Sequence, residues 1–327
     1  MKVLVTGGAG YVGSAVTDEL LIGGHEVIVL DNLQQGHKEA LPRSSQFVLG
    51  DICKPKTLEG VFRQFNIDAV MHMAAETVIE YSATDPKRFF HTNVTGGINL
   101  LNAMLKHNVT RMIFSSTAAV YGEPQTTPIE EHHPKNPINA YGLSKLMFEQ
   151  ILEWYGKAYG LKHISFRYFN AAGATERLGE DHRPETHLVP NVLRAAMTKQ
   201  PVSVFGTDYP TTDGTCIRDY VHVIDIARAH TLALGKVDDL SGKAYNLGNA
   251  KGYSVMEVIQ AARKVTGLNV LTTVCPGRRG DPATLVASSD LARSQLGWKP
   301  QFFELESIIR SAWLWTMPHP RGYAETE

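Results

Sequence analysis

Short β-branched runs alternate with longer amphipathic stretches through the first half of the chain. Strands are predicted at 2–6 (KVLVT), 26–31 (EVIVLD), 46–51 (QFVLGD), 67–75 (IDAVMHMAA), 111–116 (RMIFSS) and 163–170 (HISFRYFN). Between them, Val12, Val16 and Leu20 recur every four residues. One long helical stretch ends near His107, and another runs from about Tyr141 to Tyr159. Strands alternating with helices imply βαβ units and a parallel sheet. Right-handed crossovers make that sheet doubly wound, with its ligand site outside the carboxyl ends of the strands.

The second half is less regular. Residues 171–186 and 206–216 read as loops, and helical patterns return at 187–198, 223–235 and 254–266. In a last helix, Leu305, Ile308, Ile309, Ala312, Trp313 and Thr316 share one stripe, which predicts that Trp313 packs while Trp315 lies off the stripe. The expected class is α/β: a doubly wound parallel sheet over residues 1–170, then a smaller C-terminal substrate-binding domain over 171–327. A strand at 217–223 (IRDYVHV) is the candidate to rejoin the first sheet, which would interleave the two domains.

Length and composition narrow the function. The 327 residues suit two domains, and 43% hydrophobic with 20% charged residues is ordinary globular usage. With 32 basic against 33 acidic residues, the chain has no electrostatic footprint for nucleic acid. No apolar run approaches the roughly 18 residues of a membrane helix. The opening MKVLV is cut short by TGGAG, unlike a secretory leader. Cys53, Cys216 and Cys275 are far apart with no CxxC, which suggests a reducing, cytoplasmic setting.

The first strand runs into Gly7-Gly8-Ala9-Gly10-Tyr11-Val12-Gly13, a GxxGxxG loop that precedes a helix. Such glycines permit a tight turn, a close backbone approach to a pyrophosphate, and helix–sheet packing. The helix's first N–H groups then hold phosphate. Asp31 ends the second strand and can accept the adenine-ribose hydroxyls, while repelling a 2′-phosphate; this favours NAD over NADP. Asp51, ending the third strand, is a candidate for the adenine amine. The expected fold is therefore of the Rossmann type.

Tyr141 and Lys145 stand four apart on one helical face, after a strand ending Ser115-Ser116-Thr117. A tyrosine base at neutral pH needs its pKa lowered by about three units, or roughly 4 kcal/mol. A nearby ammonium and a cationic nicotinamide would supply much of this. Ser115 or Thr117 would bond the reacting hydroxyl. Arg218 and Arg278 are candidate diphosphate ligands, because the guanidinium fork matches phosphate oxygens. The pairs His132-His133 and His182/His187 sit in polar loops without a firm third ligand, so no metal is expected.

These features resemble the extended short-chain dehydrogenase/reductase family, and within it the UDP-hexose 4-epimerases. The matching segments span the chain: VLVTGGAGYVGS, LDNL, GDI, SSTAAVYGE, NAYGLSKLMFEQ, RYFNAAGA, GEDHRPETHL, VFGTDYPTTDGTCIRDYVHV, YNLGN and RRGDPATLVAS. The glycine loop and YxxxK are shared superfamily-wide, whereas the FGTDYPTTDGTCIRDYVHV stretch is far more specific. The resemblance implies interconversion of UDP-glucose and UDP-galactose: transient NAD-dependent oxidation at C4, rotation of the 4-keto sugar, and hydride return.

By the same resemblance, Tyr141 is the base, Lys145 binds the nicotinamide ribose and tunes Tyr141, and Thr117 contacts the sugar. Gly7, Gly10, Tyr11 and Val12 fall at the pyrophosphate, Asp31 and Asn32 at the adenosine ribose, and Asp51 and Ile52 at adenine. Ala74, Ala75 and Asn93 are further NAD contacts, and Tyr168 and Phe169 flank the nicotinamide. Asn170, His187, Leu188, Phe205, Arg218, Arg278 and Asp281 correspond to positions that hold the UDP portion. A homodimer through helices near 85–107 and 141–159 is implied as well.

The chain departs from the pattern in places. Thr77 replaces a lysine that approaches the NAD phosphates in some members. His187 stands where some carry Asn, and Leu285 occupies a position linked to tolerance of N-acetylated sugars. Ala118-Ala119 follows Thr117 where dehydratase relatives place an acidic pair, so nothing nearby can protonate a leaving hydroxyl. A UDP-pentose or UDP-uronate 4-epimerase and a noncatalytic NAD-binding regulator are the alternative readings.

Overall fold

The computed structural model describes residues 1–278 and 281–323. Arg279 and Gly280, inside the RRGDPATLVAS segment, lie outside the described residues.

The chain begins β1 (Lys2–Thr6), α1 (Tyr11–Ile22), β2 (Glu26–Asp31), β3 (Gln46–Leu49), α2 (Pro55–Gln64) and β4 (Ala69–His72). A helical stretch follows in three pieces: α3 (Pro86–Phe89), a π-helical segment (Phe90–Gly96) and α4 (Gly97–Lys106). Then come β5 (Arg111–Thr117), α5 (Ala140–Tyr159) and β6 (Lys162–Tyr168). The second half holds β7 (Asn170–Ala172), α6 (Leu188–Thr198), β8 (Val202–Phe205), β9 (Ile217–His222) and α7 (Val223–Leu234). It ends with β10 (Lys243–Leu247), β11 (Gly252–Ser254), α8 (Val255–Thr266), β12 (Thr272–Cys275), β13 (Thr284–Leu285) and α9 (Leu305–Thr316).

Seven strands form one parallel sheet in the order β10-β6-β5-β4-β1-β2-β3. Its strands are apolar on both faces because helices cover both. Val3 and Val5 face α1 and α7, packing with Val16, Leu20, Ile226 and Leu234. Leu4, between them, faces the opposite layer of Leu58, Leu100, Met104 and Phe148 from α2, α4 and α5. The strand order reverses between β1 and β4, and the crevice at such a switch point is where open α/β sheets take ligands.

The strand that completes this sheet is β10, not the expected segment 217–223. That segment forms β9, the centre of a smaller sheet that pairs with β7, β11 and β13. The reason is polar burial. In β9, Arg218, Asp219 and His222 are all buried and need specific partners; Asp281 and the loop N–H groups around Asn249 serve the first two, and Ser311 of α9 and Ile224 of α7 serve His222. Asp219 accepts backbone N–H groups from Asn249, Ala250 and Ala287 at 2.7, 3.0 and 3.1 Å. In β10, by contrast, Tyr245 and Leu247 bury against the α1–α7 layer.

A second core joins α6, α8 and α9 through Val192, Ile259, Ile308 and Ile309. Trp313 packs against this core as expected, but Trp315, expected off the stripe, is the more deeply buried of the two. Trp315 is buried beside Gly179 and stacks with His319, while Trp313 is only partly buried at the edge of this core. The loop around Gly179 and the turn after α9 wrap the side of α9 that periodicity assigns to solvent. Among the described residues, no helix is long and apolar enough to cross a membrane.

Candidate active site

The carboxyl ends of β1 through β6 open into one cleft of about 1590 Å³, whose far wall comes from α6, β9 and the residues Arg278, Asp281, Pro282 and Leu285. A pocket for one drug-sized ligand measures about 300–1,000 Å³, so this cleft has room for two bound groups. Of the residues singled out above, Gly7, Gly10, Tyr11, Val12, Asp31, Asn32, Asp51, Ile52, Ala74 and Ala75 line one end. Ser115, Thr117, Tyr141, Tyr168, Phe169 and Asn170 line its middle, and His187, Leu188, Phe205, Arg218, Arg278 and Asp281 the far wall. Lys145 and Asn93 do not line it; they are buried behind it.

The glycine loop is shaped by close approaches. Gly7 has φ +72°, and a Cβ there would meet the backbone nitrogen of Ala74 at 2.5 Å. A Cβ on Gly10 would meet only the Gly7 carbonyl and would stand in the cleft. No side chain caps α1 at Gly10, which leaves the helix start open to an anion. Asp31 is anchored at the loop's rear, accepting the Ala9 N–H at 3.0 Å and the Leu33 N–H at 2.8 Å. Burial pushes its pKa up and those N–H groups pull it back. Each oxygen keeps a further acceptor position for a ribose hydroxyl. Asp51 accepts the Cys53 N–H at 2.8 Å, and the Asn32 side chain accepts the Gln34 N–H at 3.0 Å. Space above glycine, open N–H groups and a strand-end carboxylate together fit a dinucleotide such as NAD.

The reacting end is built by β5 and α5. Asn139 caps α5 by accepting the Gly142 N–H at 2.8 Å, which sets the first turn and directs Tyr141 to the end of β5. Burial raises the Tyr141 hydroxyl, and the neighbouring Thr117 hydroxyl lowers it. Lys145 donates to the Ser115 carbonyl at 2.7 Å, with its nitrogen 5.0 Å from the centre of the Phe114 ring. Burial pushes its ammonium down to about 7, against the charge of Glu149. Asn93 braces this helix from behind, holding the Glu76 backbone and donating to Ser144 at 2.9 Å. Tyr168 contacts His230 at 2.6 Å. The other ring nitrogen of His230 lies 2.9 Å from the Ile226 carbonyl, so it donates there and the tyrosine hydroxyl donates to Nε2.

On the far wall, Arg218 is ion-paired to Asp281 and donates to the Ile217 carbonyl at 2.7 Å. Arg278 lies 4.1 Å over the Phe205 ring and 3.6 Å from Glu80 across the cleft. Thr77, Leu285, Ala118 and Ala119 line the cleft as well, with no acidic side chain at the two alanine positions.

Three groups escaped the sequence reading. His230 lies in an ordinary amphipathic helix and gives no local sign of its contact with Tyr168. Glu149 follows Lys145 by four residues, so helical spacing alone was enough to place it near. Glu180 and Glu185 stand against His182 and His187, and the four donor atoms all lie within 4.8 Å of one another. Burial opposes charge on His182, but the neighbouring Glu180 and Glu185 carboxylates raise it to about 10.

Comparison with known proteins agrees with this geometry. The NAD dependent epimerase/dehydratase family matches residues 3–248. A UDP-glucose 4-epimerase of Lacticaseibacillus casei is 48% identical over 99% of both chains. A UDP-glucose 4-epimerase crystal structure superposes with a TM-score of 0.96 at 45% identity, covering 99% of this chain and 100% of its own. The Bifidobacterium longum enzyme of the same name, crystallised with NAD+ and UDP, superposes with a TM-score of 0.94 at 36% identity, over 99% of this chain and 100% of its own. With the match covering most of its length, the chain belongs to the NAD dependent epimerase/dehydratase family.

Proposed function

We propose that this chain interconverts UDP-glucose and UDP-galactose by NAD-dependent 4-epimerisation. The observation that carries the reading is the meeting of Tyr141 and Thr117 at the end of β5, with Lys145 buried one helical turn on and bonded to the Ser115 carbonyl, in a cleft with room for two groups. The relatives named UDP-glucose 4-epimerase, and the one crystallised with NAD+ and UDP, support the same activity.

In this reading the large sheet carries NAD and the smaller layer carries the nucleotide sugar. Gly7, Gly10, Tyr11 and Val12 hold the pyrophosphate. Asp31 and Asn32 hold the adenosine ribose, and Asp51 and Ile52 meet adenine. Ala74, Ala75 and Ser115 line the path to the nicotinamide, which Tyr168 and Phe169 flank, and Asn93 supports it from beneath. When bound, NAD supplies reversible oxidation at the sugar C4 and a positive charge beside Tyr141.

Tyr141 takes the proton from the sugar 4-hydroxyl and later returns it, and Thr117 orients that hydroxyl. Lys145, held by the Ser115 carbonyl, stabilises the tyrosinate. Asn170, His187, Leu188, Phe205, Arg218, Arg278 and Asp281 hold the UDP portion. Arg218 is held by Asp281 and by the Ile217 carbonyl, so its fork is fixed before substrate arrives. Firm grip on the nonreacting nucleotide lets the sugar turn and present either face. A homodimer in the cytoplasm is the proposed working form; exposed Leu143, Trp154 and Tyr159 on α5 support the dimer.

The test is incubation with UDP-galactose, with and without added NAD, followed by separation of the UDP-sugars. UDP-glucose should appear without net NADH, and Tyr141→Phe should lose most turnover while still binding UDP-sugar. Near-normal turnover in that variant removes Tyr141 from the reaction. Conversion of UDP-pentoses or UDP-uronates alone would reassign the substrate.

A further inference from the structure

The loop before α6 gathers Glu180, His182, Glu185 and His187 at the cleft wall. The Nδ1 atom of His182 is buried and has no hydrogen-bond partner. It faces Glu180 Oε1 at 3.3 Å and Glu185 Oε2 at 3.7 Å. His187 Nδ1 lies 3.7 Å from Glu185 Oε1 and is paired to Glu180. Two ligands bound about 2.0–2.1 Å from a tetrahedral zinc stand about 3.3–3.4 Å apart; the 3.3 and 3.7 Å spacings are close to that, whereas His187 and Glu180, at 2.5 Å, must separate to admit the ion.

We propose that Glu180, His182, Glu185 and His187 form a binding site for a divalent transition cation of the zinc type. Zinc would displace the ring protons that Glu180 and Glu185 favour on the imidazoles; two deprotonated imidazoles and two carboxylates then cancel the charge of a dication, and a mixed nitrogen–oxygen set selects zinc over magnesium. The ligands are pre-oriented by the loop itself. Glu185 accepts the His187 N–H at 2.9 Å and the His182 N–H at 3.4 Å. Asn191 in the first turn of α6 donates to the Glu185 and His187 carbonyls at 3.2 and 2.9 Å. Such outer contacts hold ligands in register. The carboxylates and His182 are largely enclosed, while His187 is half-exposed towards the cleft and gives the cation its way in. The zinc site uses only this cluster, but His187 is also assigned above to the UDP portion, so the zinc titration is run without UDP-sugar.

The test uses the full chain stripped by a chelator and dialysed, then titrated with zinc chloride against a chromogenic zinc indicator at neutral pH. One zinc per chain is expected, with X-ray absorption reporting nitrogen and oxygen neighbours. His182→Ala and Glu185→Gln should each weaken binding by more than about tenfold, since even outer-shell losses cost 10–100-fold. If either fails to fold by circular dichroism, His187→Ala, at the more exposed ligand, carries the same test. No competition with the indicator overturns the proposal. So does zinc binding left unchanged in these variants, or sulfur scattering, which would place the metal on surface histidines or on cysteine. Equal binding of magnesium overturns the assigned class of cation.

Discussion

The buried ion pair behind Lys145 offers a quantitative test of how the catalytic helix is held. Glu149, one turn beyond Lys145 on α5, pairs with Arg167 on β6 through two bonds of 2.6 and 3.1 Å. Their side chains are only 8% and 4% exposed. Arg167 also donates to the Tyr121 hydroxyl at 2.9 Å and to the Glu131 carbonyl at 3.0 Å, and Ser116 donates to Glu149. Removing one partner strands the other charge at a cost of about 3–5 kcal/mol. For 327 residues the unfolding entropy is about 0.7 kcal/mol/K, at roughly 2.1 cal/mol/K per residue. Glu149→Gln and Arg167→Met should therefore each lower Tm by about 4–7 °C in thermal scans. The double change Glu149→Gln/Arg167→Met removes both charges, so it should lose clearly less than the sum of the singles. A second readout separates packing from tuning. Because Glu149 helps to keep Lys145 charged, Glu149→Gln should move the alkaline limb of the kcat–pH profile downward while the KM for UDP-sugar holds. Single variants within about 1 °C of wild type, or a double variant equal to the sum, would refute the reasoning.

Other consequences are simpler to state. Gly7→Ala must place a Cβ at positive φ against the Ala74 backbone; NAD affinity by calorimetry should fall more than about tenfold, since the left-handed conformation alone costs roughly 1–2 kcal/mol. Thr117→Val keeps the shape but removes the hydroxyl that lowers Tyr141; kcat should drop about tenfold and the pH for half-maximal rate should rise. In the ligand-free protein, Lys145 titrates near 7 against about 10.4 when unfolded, so between those values the unfolded chain holds more protons and stability rises with pH. Urea midpoints of wild type and Lys145→Met should accordingly diverge between about pH 7 and 10, by up to about 1.4 kcal/mol per pH unit, and parallel curves would sink the assignment.

The parallel sheet was legible because its strands are short and apolar on both faces, and because the glycine loop marks where β1 ends. The return strand was not. IRDYVH and KAYNL look equally strand-like in one dimension; the choice between them rests on partners for Arg218, Asp219 and His222 that only the folded chain supplies. The site divides in the same way. Tyr141, Lys145 and Thr117 were readable because helical spacing and a strand end impose proximity locally. Periodicity placed Lys145 on a face but could not bury it; what keeps an ammonium inside is the Ser115 carbonyl, thirty residues earlier. Glu180 and Glu185 were visible as letters but not as partners of His182 and His187, since an irregular loop has no period from which to compute a face. Such residues share one property: their polar groups are buried at a cost that only long-range partners repay. Lys145, the Glu149–Arg167 pair and the His182 cluster all carry that cost beside the cleft. Wherever a chain of this fold buries charge with specific partners near the switch point, chemistry is a stronger expectation than packing, and that is the rule by which the unassigned cluster before α6 earns its test.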